Sequence, residues 1–195
     1  MNLNVNEIFY SLQGEGARQG EASIFIRLSG CNLKCYYCDT DFAEGKEMNF
    51  GQILTVLKQF PCKWIVWTGG EPTLQLTNEI LLFFKKQGYL QAIESNGHRK
   101  FSDLLDYTVV SPKGLNMGYA KDINPAVDEV RLPVKKDMKI PPVELFPKAK
   151  HYFLSPIFTT GMRSTNTNIR YCVNYIRKHP EWRLSVQMHK MIGIA

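Results

Sequence analysis

Segments with the residue pattern of β-strands alternate with helix-like segments along most of this chain. Apolar runs rich in β-branched and aromatic residues predict strands over residues 22–30, 63–71, 90–97, 107–113, 128–134, 151–157 and 183–189. Apolar residues at helical spacing predict helices over residues 50–60, 78–87, 102–106 and 168–178. Repeated strand–helix units favour an α/β fold with a mostly parallel sheet, either open or closed into a barrel. Ligands of such folds bind at the carboxyl ends of the strands, so we expect a site there.

Small and polar residues follow several of these predicted strands. The strand endings read SGCNLKC, TGGEP, ESNG, VSPK, LSPI and VQMH. Loop composition alone explains part of this pattern, because loops are polar in most proteins. The alternative is one site built from strand ends along a single rim. The segments 114–127 and 135–150 show no clear pattern, and we predict irregular loops there.

The composition is that of a globular protein, and 195 residues fit one domain over residues 1–195. No apolar run reaches the roughly 20 residues of a membrane span, and the N-terminus lacks the pattern of a secretory signal. We therefore expect a cytoplasmic protein with no membrane contact. The net charge of +6 and the pI near 9.0 permit an anionic partner. The lysines and arginines are scattered, which favours a solvated basic surface over nucleic-acid binding.

Three of the five cysteines, Cys31, Cys35 and Cys38, lie within eight residues in the spacing C-x3-C-x2-C. A secreted disulfide framework would contain an even number of cysteines at wider spacings, so the cluster indicates a metal site. A [4Fe–4S] cluster normally takes four thiolates, and three would leave one iron open. The alternative is a zinc site completed by a histidine or a distant cysteine, for which this spacing is unusual. We expect Cys62 and Cys172 to be inert.

The cysteine motif resembles that of the radical S-adenosylmethionine (SAM) superfamily, and TGGEP at residues 68–72 resembles the GGE motif of the same superfamily. The resemblance implies a reduced, incomplete (β/α) barrel with mostly parallel strands. It also implies a [4Fe–4S] cluster on the three cysteines, with SAM bound to the fourth iron through its amino and carboxylate groups. An electron from the cluster would then cleave SAM to methionine and a 5′-deoxyadenosyl radical.

Other residues along the predicted rim would bind SAM by the same resemblance. Glu71 in the GGE motif would bind the amino group, and Tyr37 would keep water from the cluster. Taken alone, the two glycines predict only a turn, and each Ser-Pro pair predicts only the end of a strand. The residues that the resemblance assigns to SAM are Tyr37, Cys38, Asp39, Gly70, Glu71, Ser111, Pro112, Lys113, Ser155, Pro156, Ile157 and Phe158.

The two ends of the chain narrow the resemblance. SLQGEG, FIRLSGCNLKCYYCDT, TGGEP, SNG, SPK and QMHK span nearly the whole chain, and together they resemble the 7-carboxy-7-deazaguanine synthases of the deazapurine (queuosine) pathway. That family converts 6-carboxy-5,6,7,8-tetrahydropterin to 7-carboxy-7-deazaguanine. The resemblance implies that the radical removes a hydrogen from C6 of the pterin and that the ring contracts. SAM is then re-formed, and ammonia is lost.

The pterin has a donor and acceptor edge and one carboxylate. Gln13 and Glu15 suit the edge, since an amide supplies both kinds of group and a carboxylate accepts. Arg27 suits the carboxylate, and Gln187 and His189 are expected on one side of the last strand. The alternatives are an exposed turn for Gln13 and Glu15, a surface ion pair for Arg27 and an ordinary structural role for His189. The residues predicted to bind the substrate are Leu12, Gln13, Gly14, Glu15, Arg27, Thr68, Gln187, His189 and, through its terminal carboxylate, Ala195.

Oxygen donors follow the last cysteine in the sequence Asp39-Thr40-Asp41. Such ligands suit Mg²⁺, which keeps several waters when it binds a protein. The family resemblance places Mg²⁺ on Thr40, with the substrate supplying other oxygens. The alternative is that these residues cap a helix. The resemblance also implies a homodimer and an electron donor such as flavodoxin or ferredoxin.

Two other functions remain open. A radical SAM activase, which forms a glycyl radical on a partner protein, shares the C-x3-C-x2-C motif but has no use for SLQGEG or QMHK. A basic zinc-containing nucleic-acid-binding module would be colourless and would contain zinc without iron. An iron–sulfur protein purified without air would be brown.

Overall fold

The computed structural model describes residues 2–113, 118–159 and 161–194, with only the backbone of Gly118 and Tyr119. The strands within these residues are β1 (Asn2–Leu12), β2 (Ala22–Leu28), β3 (Lys46–Asn49), β4 (Trp64–Gly69), β5 (Leu90–Ser95), β6 (Tyr107–Val110), β7 (Ala126–Val134), β8 (Lys148–Pro156) and β9 (Arg183–Leu184). The helices are α1 (Phe50–Leu57), α2 (Asn78–Lys86), α3 (Gly118–Ile123), α4 (Met162–Ile176) and α5 (Met188–Ile192).

All nine of these strands join one sheet in the order β3-β1-β2-β4-β5-β6-β7-β8-β9. Every pair from β2 to β9 is parallel, so the predicted mostly parallel α/β sheet is confirmed. β1 is antiparallel to both β2 and β3, and neither β1 nor β3 was predicted. Both strands carry many polar residues at the edge of the sheet, where little hydrophobic pattern is needed.

The sheet curls so that its two sides approach each other at the loops after β1 and β9. The backbone N–H of Gly16, which follows β1, donates to Oγ of Ser185, which follows β9, over 2.9 Å. In the described part of the chain no strand pairing joins these sides, because the sheet has β3 and β9 as its edges. The result is an incomplete barrel, as predicted, that is bridged by loops.

The two faces of the sheet carry different residues because side chains alternate along a strand. On β7, Val130 and Leu132 pack with Cys172 of α4 in an apolar core outside the sheet. Glu129 and Arg131 alternate with them and therefore point to the inner face. The outer cores bury apolar surface against the helices, and the inner face is left for polar chemistry. Cys172 is fully buried, which agrees with the prediction that it is inert.

Helix ends match the local sequence signals. Asn49 and Gln52 form a capping box at the start of α1, and Thr77 caps α2 by accepting from the N–H of Ile80. Gly88 follows α2 with φ of +79°, a conformation that favours glycine. The boundaries of the elements that flank the site are therefore set by short-range chemistry.

Several predicted elements are wrong. Residues 102–106 form turns and not a helix, because the N–H of Asp106 donates to the carbonyl of Gln91 (2.8 Å) and leads directly into β6. Residues 114–117 of the predicted loop 114–127 lie outside the described residues, and the rest of that loop contains α3 and the start of β7. The predicted loop 135–150 contains the start of β8. Helix α4 begins earlier than the predicted 168. The one-domain organisation stays a prediction.

The last predicted strand, 183–189, is also wrong. Only Arg183 and Leu184 pair with β8. The chain then turns toward the loop after β1, where the N–H of Met188 donates to the carbonyl of Gly14 over 3.0 Å, and α5 begins. None of the helices in the described ranges has the length and apolar character needed to cross a membrane.

Candidate active site

The ends of β2 and β4 meet at a glycine-rich junction. The N–H of Gly70 donates to the carbonyl of Leu28 (2.8 Å), and the N–H of Glu71 donates to the carbonyl of Gly30 (2.9 Å). Gly69 and Gly30 have φ of +113° and +83°, and a Cβ at Gly70 would overlap the carbonyl oxygen of Gly30. Only glycines allow this approach of two backbones. The junction fixes where the cysteine segment leaves the sheet.

The cysteine loop, residues 31–40, begins at this junction. It is closed by a hydrogen bond from the N–H of Gly30 to the carbonyl of Phe42 (3.2 Å), and an inner turn joins Cys38 N–H to the carbonyl of Cys35 (3.1 Å). Cys31, Cys35 and Cys38 all line one cavity of about 250 Å³, which we call the cysteine cavity. Burial raises the pKa of the Cys35 thiol, and Lys113 partly opposes that effect.

The three thiols do not form a preformed site for a single ion. Among the described residues, no group of three or more histidine, cysteine, aspartate or glutamate side chains is placed to hold one metal ion. A closed zinc site needs four ligands around one ion. A [4Fe–4S] cluster is larger, and each thiolate binds a different iron, so its ligands need not converge on one point. The donor set and its shared cavity therefore fit the cluster better than zinc.

Most residues that the resemblance assigns to SAM line the cysteine cavity. The wall contains Tyr37, Cys38, Asp39, Gly70, Ser111, Lys113, Ser155, Pro156, Ile157 and Phe158. Glu71 and Pro112 are not part of this wall. Segments that are far apart in the sequence, at the ends of β2, β4, β6 and β8, are thus brought together at one rim. Their individual roles toward SAM stay predictions.

Glu71 lies behind the wall and holds two strand ends together. The residue is 1% exposed, and its carboxylate accepts from the N–H and Oγ1 of Thr73 (3.1 and 2.6 Å), from Oγ of Ser95 (2.8 Å) and from the N–H of Asn96 (2.8 Å). These bonds join the turn after β4 to the end of β5. The GGE sequence thus supports the rim, whatever else its carboxylate binds.

A second cavity of about 370 Å³, the loop cavity, adjoins the first. The described residues predicted to bind the substrate all line it: Leu12, Gln13, Gly14, Glu15, Arg27, Thr68, Gln187 and His189. Ala195 lies outside the described residues. Both cavities share Glu15, Asp39, Thr40 and Thr68, which makes them neighbouring parts of one site.

Gln13 and Glu15 reach the cavity because the loop after β1 folds into the barrel. The N–H of Gln13 donates to the carbonyl of Glu21 (2.8 Å), which closes the base of the loop. The side chain of Arg18, from the same loop, is buried against the start of β4, with its guanidinium carbon 3.7 Å from the ring centroid of Trp64. Gln13 is buried, so the alternative of an exposed turn is wrong for it.

Glu15 is surrounded by polar partners. Its carboxylate accepts from Nε2 of Gln187 (2.8 Å) and Oγ of Ser155 (3.1 Å), and it lies 3.5 Å from Nη1 of Arg131. Nε2 of Gln13 donates to Oε1 of Glu94 (3.0 Å). Gln13 and Glu15 are thereby held beside residues of β5, β7 and β8 and beside the start of α5.

Sequence reasoning missed the residues that hold this network together. Arg131 donates through Nη1 to Glu94 (3.0 Å) and through Nε to Glu129 (2.7 Å). We call Glu15, Glu94, Glu129 and Arg131 the carboxylate cluster. Burial raises the pKa of Glu94, while Arg131 acts in the opposite direction. A signal was present: charged residues stand within apolar strand segments, Glu94 in AIES and Glu129 and Arg131 in DEVRLPV, which is typical of a sheet face that points to a polar interior.

Gln187 and His189 were predicted to lie on the last strand, and this is wrong. Gln187 is the N-cap residue of α5, and His189 lies within that helix. The short pairing of β9 with β8 ends before them. Both side chains still reach the loop cavity, since a Cβ at Gly14 would overlap the imidazole of His189. Burial lowers the pKa of His189, although the Glu15 carboxylate acts against that effect, so the neutral imidazole is favoured.

Arg27 combines the two interpretations that the sequence left open. It lines the loop cavity, and its Nε donates to Oε2 of Glu7 over 3.2 Å.

Thr40 lines both cavities, while Asp41 accepts from the N–H of Ala43. The helix-capping alternative for this segment is wrong, because the next regular element is the strand β3.

Comparisons with known proteins agree with this geometry. The sequence model of the Radical SAM superfamily matches residues 25–128, more than half of the chain. The chain therefore belongs to the radical SAM superfamily, whose members use a [4Fe–4S] cluster and SAM. A structure described as "Crystal structure of QueE from Escherichia coli" has a TM-score of 0.74 and 24% identity, and the match covers 97% of this chain and 95% of that one. This similarity shows a shared fold.

Curated relatives narrow the family further. A 7-carboxy-7-deazaguanine synthase from Bacteroides thetaiotaomicron is 39% identical over the full length of both chains. One from Haemophilus influenzae is 41% identical over 99% of this chain and 94% of the relative. Within the superfamily, the chain belongs to the 7-carboxy-7-deazaguanine synthases. This membership favours the synthase over both the activase and the zinc-containing module.

Proposed function

We propose that this chain converts 6-carboxy-5,6,7,8-tetrahydropterin to 7-carboxy-7-deazaguanine and ammonia. The observation that carries the proposal is the pairing of two adjoining cavities. One is lined by the three cysteines and the residues assigned to SAM, and the other by the residues assigned to the pterin. A reaction between a cofactor-derived radical and a separate small molecule needs this kind of two-part site.

Cys31, Cys35 and Cys38 would hold the [4Fe–4S] cluster, with Tyr37 beside it. Three thiols on one cavity and a wall of glycine backbone fit a bulky cluster and a cofactor packed against the chain. When bound, the cluster and SAM supply the one-electron chemistry that removes a hydrogen atom from the substrate. The protein supplies orientation and excludes water.

The cofactor's polar groups would be held along the rim. Ser111, Lys113 and Ser155 offer donors on the cavity wall, and Phe158 offers an apolar surface. Nζ of Lys113 donates to Oγ of Ser111 (2.6 Å), and burial lowers the pKa of this lysine. Asp39 is paired with Lys190, which lowers the pKa of Asp39 against the effect of burial, so it offers an ionised acceptor.

The substrate would be read by the loop cavity. Gln13 and Glu15 would bind the pyrimidine edge, and Arg27 would bind the carboxylate. Thr68 lies on the wall shared by the two cavities, and His189, whose lowered pKa favours the neutral imidazole, also lines the loop cavity. Mg²⁺ would bind at Thr40, which lines both cavities and so lies where the substrate's oxygens could complete the coordination.

The family resemblance supports three further proposals: a homodimer, a flavodoxin or ferredoxin as electron donor, and a cytoplasmic location. Light scattering of the purified protein would test the first. A homogeneous monomer at micromolar concentration would contradict it.

The test of the function is anaerobic reconstitution of the cluster, followed by addition of reductant, Mg²⁺, SAM and 6-carboxytetrahydropterin. We expect 7-carboxy-7-deazaguanine by mass spectrometry without a partner protein. Omission of Mg²⁺ should lower the rate. If SAM is cleaved to 5′-deoxyadenosine while the pterin stays intact, the substrate is wrong, and the activase becomes the leading function.

A further inference from the structure

Arg131 occupies an unusual place in the site. It lines both cavities, yet its side chain is almost fully buried, with 7% of the residue exposed. Its guanidinium is surrounded by carboxylates: Nε and Nη2 lie 2.7 Å from Glu129, and Nη1 lies 3.0 Å from Glu94 and 3.5 Å from Glu15. Because these partners occupy its donors, Arg131 is placed to act on a ligand through its neighbours.

Glu129 extends the contact to the backbone of the substrate loop. It is fully buried and lines neither cavity. Its Oε2 accepts from the N–H of Ala17 (3.0 Å) and from the hydroxyl of Tyr107 (3.1 Å). Gly16 has φ of +75°, and a Cβ there would overlap both Glu129 and Arg131. The loop that carries Gln13 and Glu15 thus lies directly against this ion pair.

We propose that Arg131, anchored by Glu129, is a positioning residue of the substrate site that holds Glu15 and Glu94 in the geometry needed to bind the donor edge of the pterin. The carboxylate oxygens of Glu15 and Glu94 are acceptors on the wall of both cavities. A heterocyclic edge that carries N–H groups donates to such acceptors. The proposal rests on the proposed function, because it names the substrate of that site.

The geometry explains why the cluster is needed at all. The carboxylates of Glu15 and Glu94 repel each other, and both lie on the wall shared by the two cavities. Without a cation between them, they would separate, or one would take up a proton and lose its ability to accept. A planar guanidinium contacts several carboxylates at once, whereas the single ammonium of a lysine is a point charge.

The first experiment measures binding of 6-carboxypterin, a fluorescent and air-stable pterin, by anisotropy. We expect Arg131→Met to weaken binding by roughly 30-fold or more, as for loss of one partner in a buried charge network. Arg131→Lys should recover only part of this loss. SAM binding, measured separately by calorimetry on the reconstituted protein, should change less than about 3-fold in either variant, because the carboxylates that Arg131 contacts are not among the residues assigned to SAM.

A double-mutant cycle with Glu15→Gln separates positioning from direct contact. If Arg131 acts through Glu15, the Arg131→Met effect should shrink to a few-fold in the Glu15→Gln background, since neighbours in one network are not additive. Equal effects in both backgrounds would mean that Arg131 does not act through Glu15, and the proposal would be overturned. Equal loss of pterin and SAM binding would show a general structural role and overturn it as well.

Arg18→Met is the matched control. Arg18 is as buried as Arg131 and lies on the loop that carries Gln13 and Glu15, but it pairs with Glu21 and stacks on Trp64 and lines neither cavity. We expect it to lower the melting temperature while changing pterin binding less than about 3-fold. A control that weakens binding as much as Arg131→Met would overturn a specific role for Arg131.

Two negative results have different meanings. If the wild-type protein binds neither 6-carboxypterin nor, under anaerobic calorimetry, 6-carboxy-5,6,7,8-tetrahydropterin, the proposed substrate fails, and this inference fails with it. If the wild type binds and Arg131→Met binds equally well, only the inference fails. Should Arg131→Met not fold, the Arg131→Lys variant decides: unchanged pterin affinity in a lysine variant would overturn the need for a guanidinium.

Discussion

The cysteine loop and the carboxylate cluster face the same pair of cavities but are held in different ways. Residues of the cysteine loop are half-buried or exposed, with Tyr36 76% exposed, and the loop contains no helix or strand. Its side-chain links to the rest of the chain include Asn32 to Asn96 (2.8 Å) and Asp39 to Lys190. In the carboxylate cluster, Glu129 is fully buried and every carboxylate has a charged partner.

This difference shows how the two parts of the site become ordered. Few buried contacts mean a low local stability, so we expect the cysteine loop to gain much of its final geometry from the cluster proposed to bind there. The carboxylate cluster has its geometry in the folded chain and is ready for a ligand. Substitutions in the cysteine loop should therefore remove the bound cluster, whereas substitutions in the carboxylate cluster should weaken the fold or the binding of the substrate.

The largest effect on activity is expected for Cys35→Ala. Loss of one of three thiolates should remove the cluster and abolish turnover, while the free energy of unfolding changes by less than about 1 kcal/mol because the side chain is only partly buried. Iron content, visible absorption and urea unfolding check this. Cys62→Ala is the control and should keep its iron. An iron-loaded and active Cys35→Ala protein would remove Cys35 from the ligands.

Glu71→Gln should show the opposite pattern, with a large loss of stability. The carboxylate accepts from Thr73, Ser95 and Asn96, and an amide would present N–H groups to some of these donors. We expect a loss of about 2–3 kcal/mol in the free energy of unfolding. Glu79→Gln, at an exposed position at the start of α2, is the control and should cost less than about 1 kcal/mol. Equal, small losses would contradict the supporting role of Glu71.

Arg27→Ala tests which of its two contacts matters. We expect pterin affinity to fall roughly 10- to 100-fold while SAM affinity is kept, because one charge-assisted pair with the substrate carboxylate is lost. Glu7→Gln removes the ion pair but keeps Arg27, so it should leave pterin affinity within about 3-fold. If Glu7→Gln has the larger effect, the surface ion pair is the main role of Arg27. Loss of SAM binding in Arg27→Ala would place Arg27 elsewhere in the site.

The same contrast explains what the sequence could and could not predict. The cysteine spacing, the GGE turn and the Ser-Pro strand endings are short-range signals, and the structure brings them to one rim. The parallel sheet followed from strand–helix alternation. The contacts of Arg131 with Glu15 and Glu94 join residues 116 and 37 positions apart, and no local pattern specifies such pairs. Only the charged positions within apolar strands pointed toward them.

The element errors have similar physical causes. β1 is rich in asparagine and has one half at the sheet edge, so local propensity gave no strong strand signal. Residues 183–189 show the pattern of a strand, but their path after Leu184 is decided by a distant contact between Met188 and Gly14. Tertiary context thus determined the end of the chain, where Gln187 and His189 reach the site from a helix.

The smallest effect is expected for Lys190→Ala, which removes the ion pair with Asp39. The two side chains are 32% and 48% exposed, so solvent screens the attraction, and the loss of stability should stay below about 1 kcal/mol. The lowered pKa of Asp39 means that any gain is present above the unfolded-state value of about 3.9 and disappears as pH falls through the lower folded-state value. Urea unfolding of wild type and variant at pH 7, in low and high salt, measures it. High salt should reduce the difference further. A loss above about 2 kcal/mol that salt does not change would mean that this pair is effectively buried, and the cysteine loop would then be held by the fold as firmly as the carboxylate cluster.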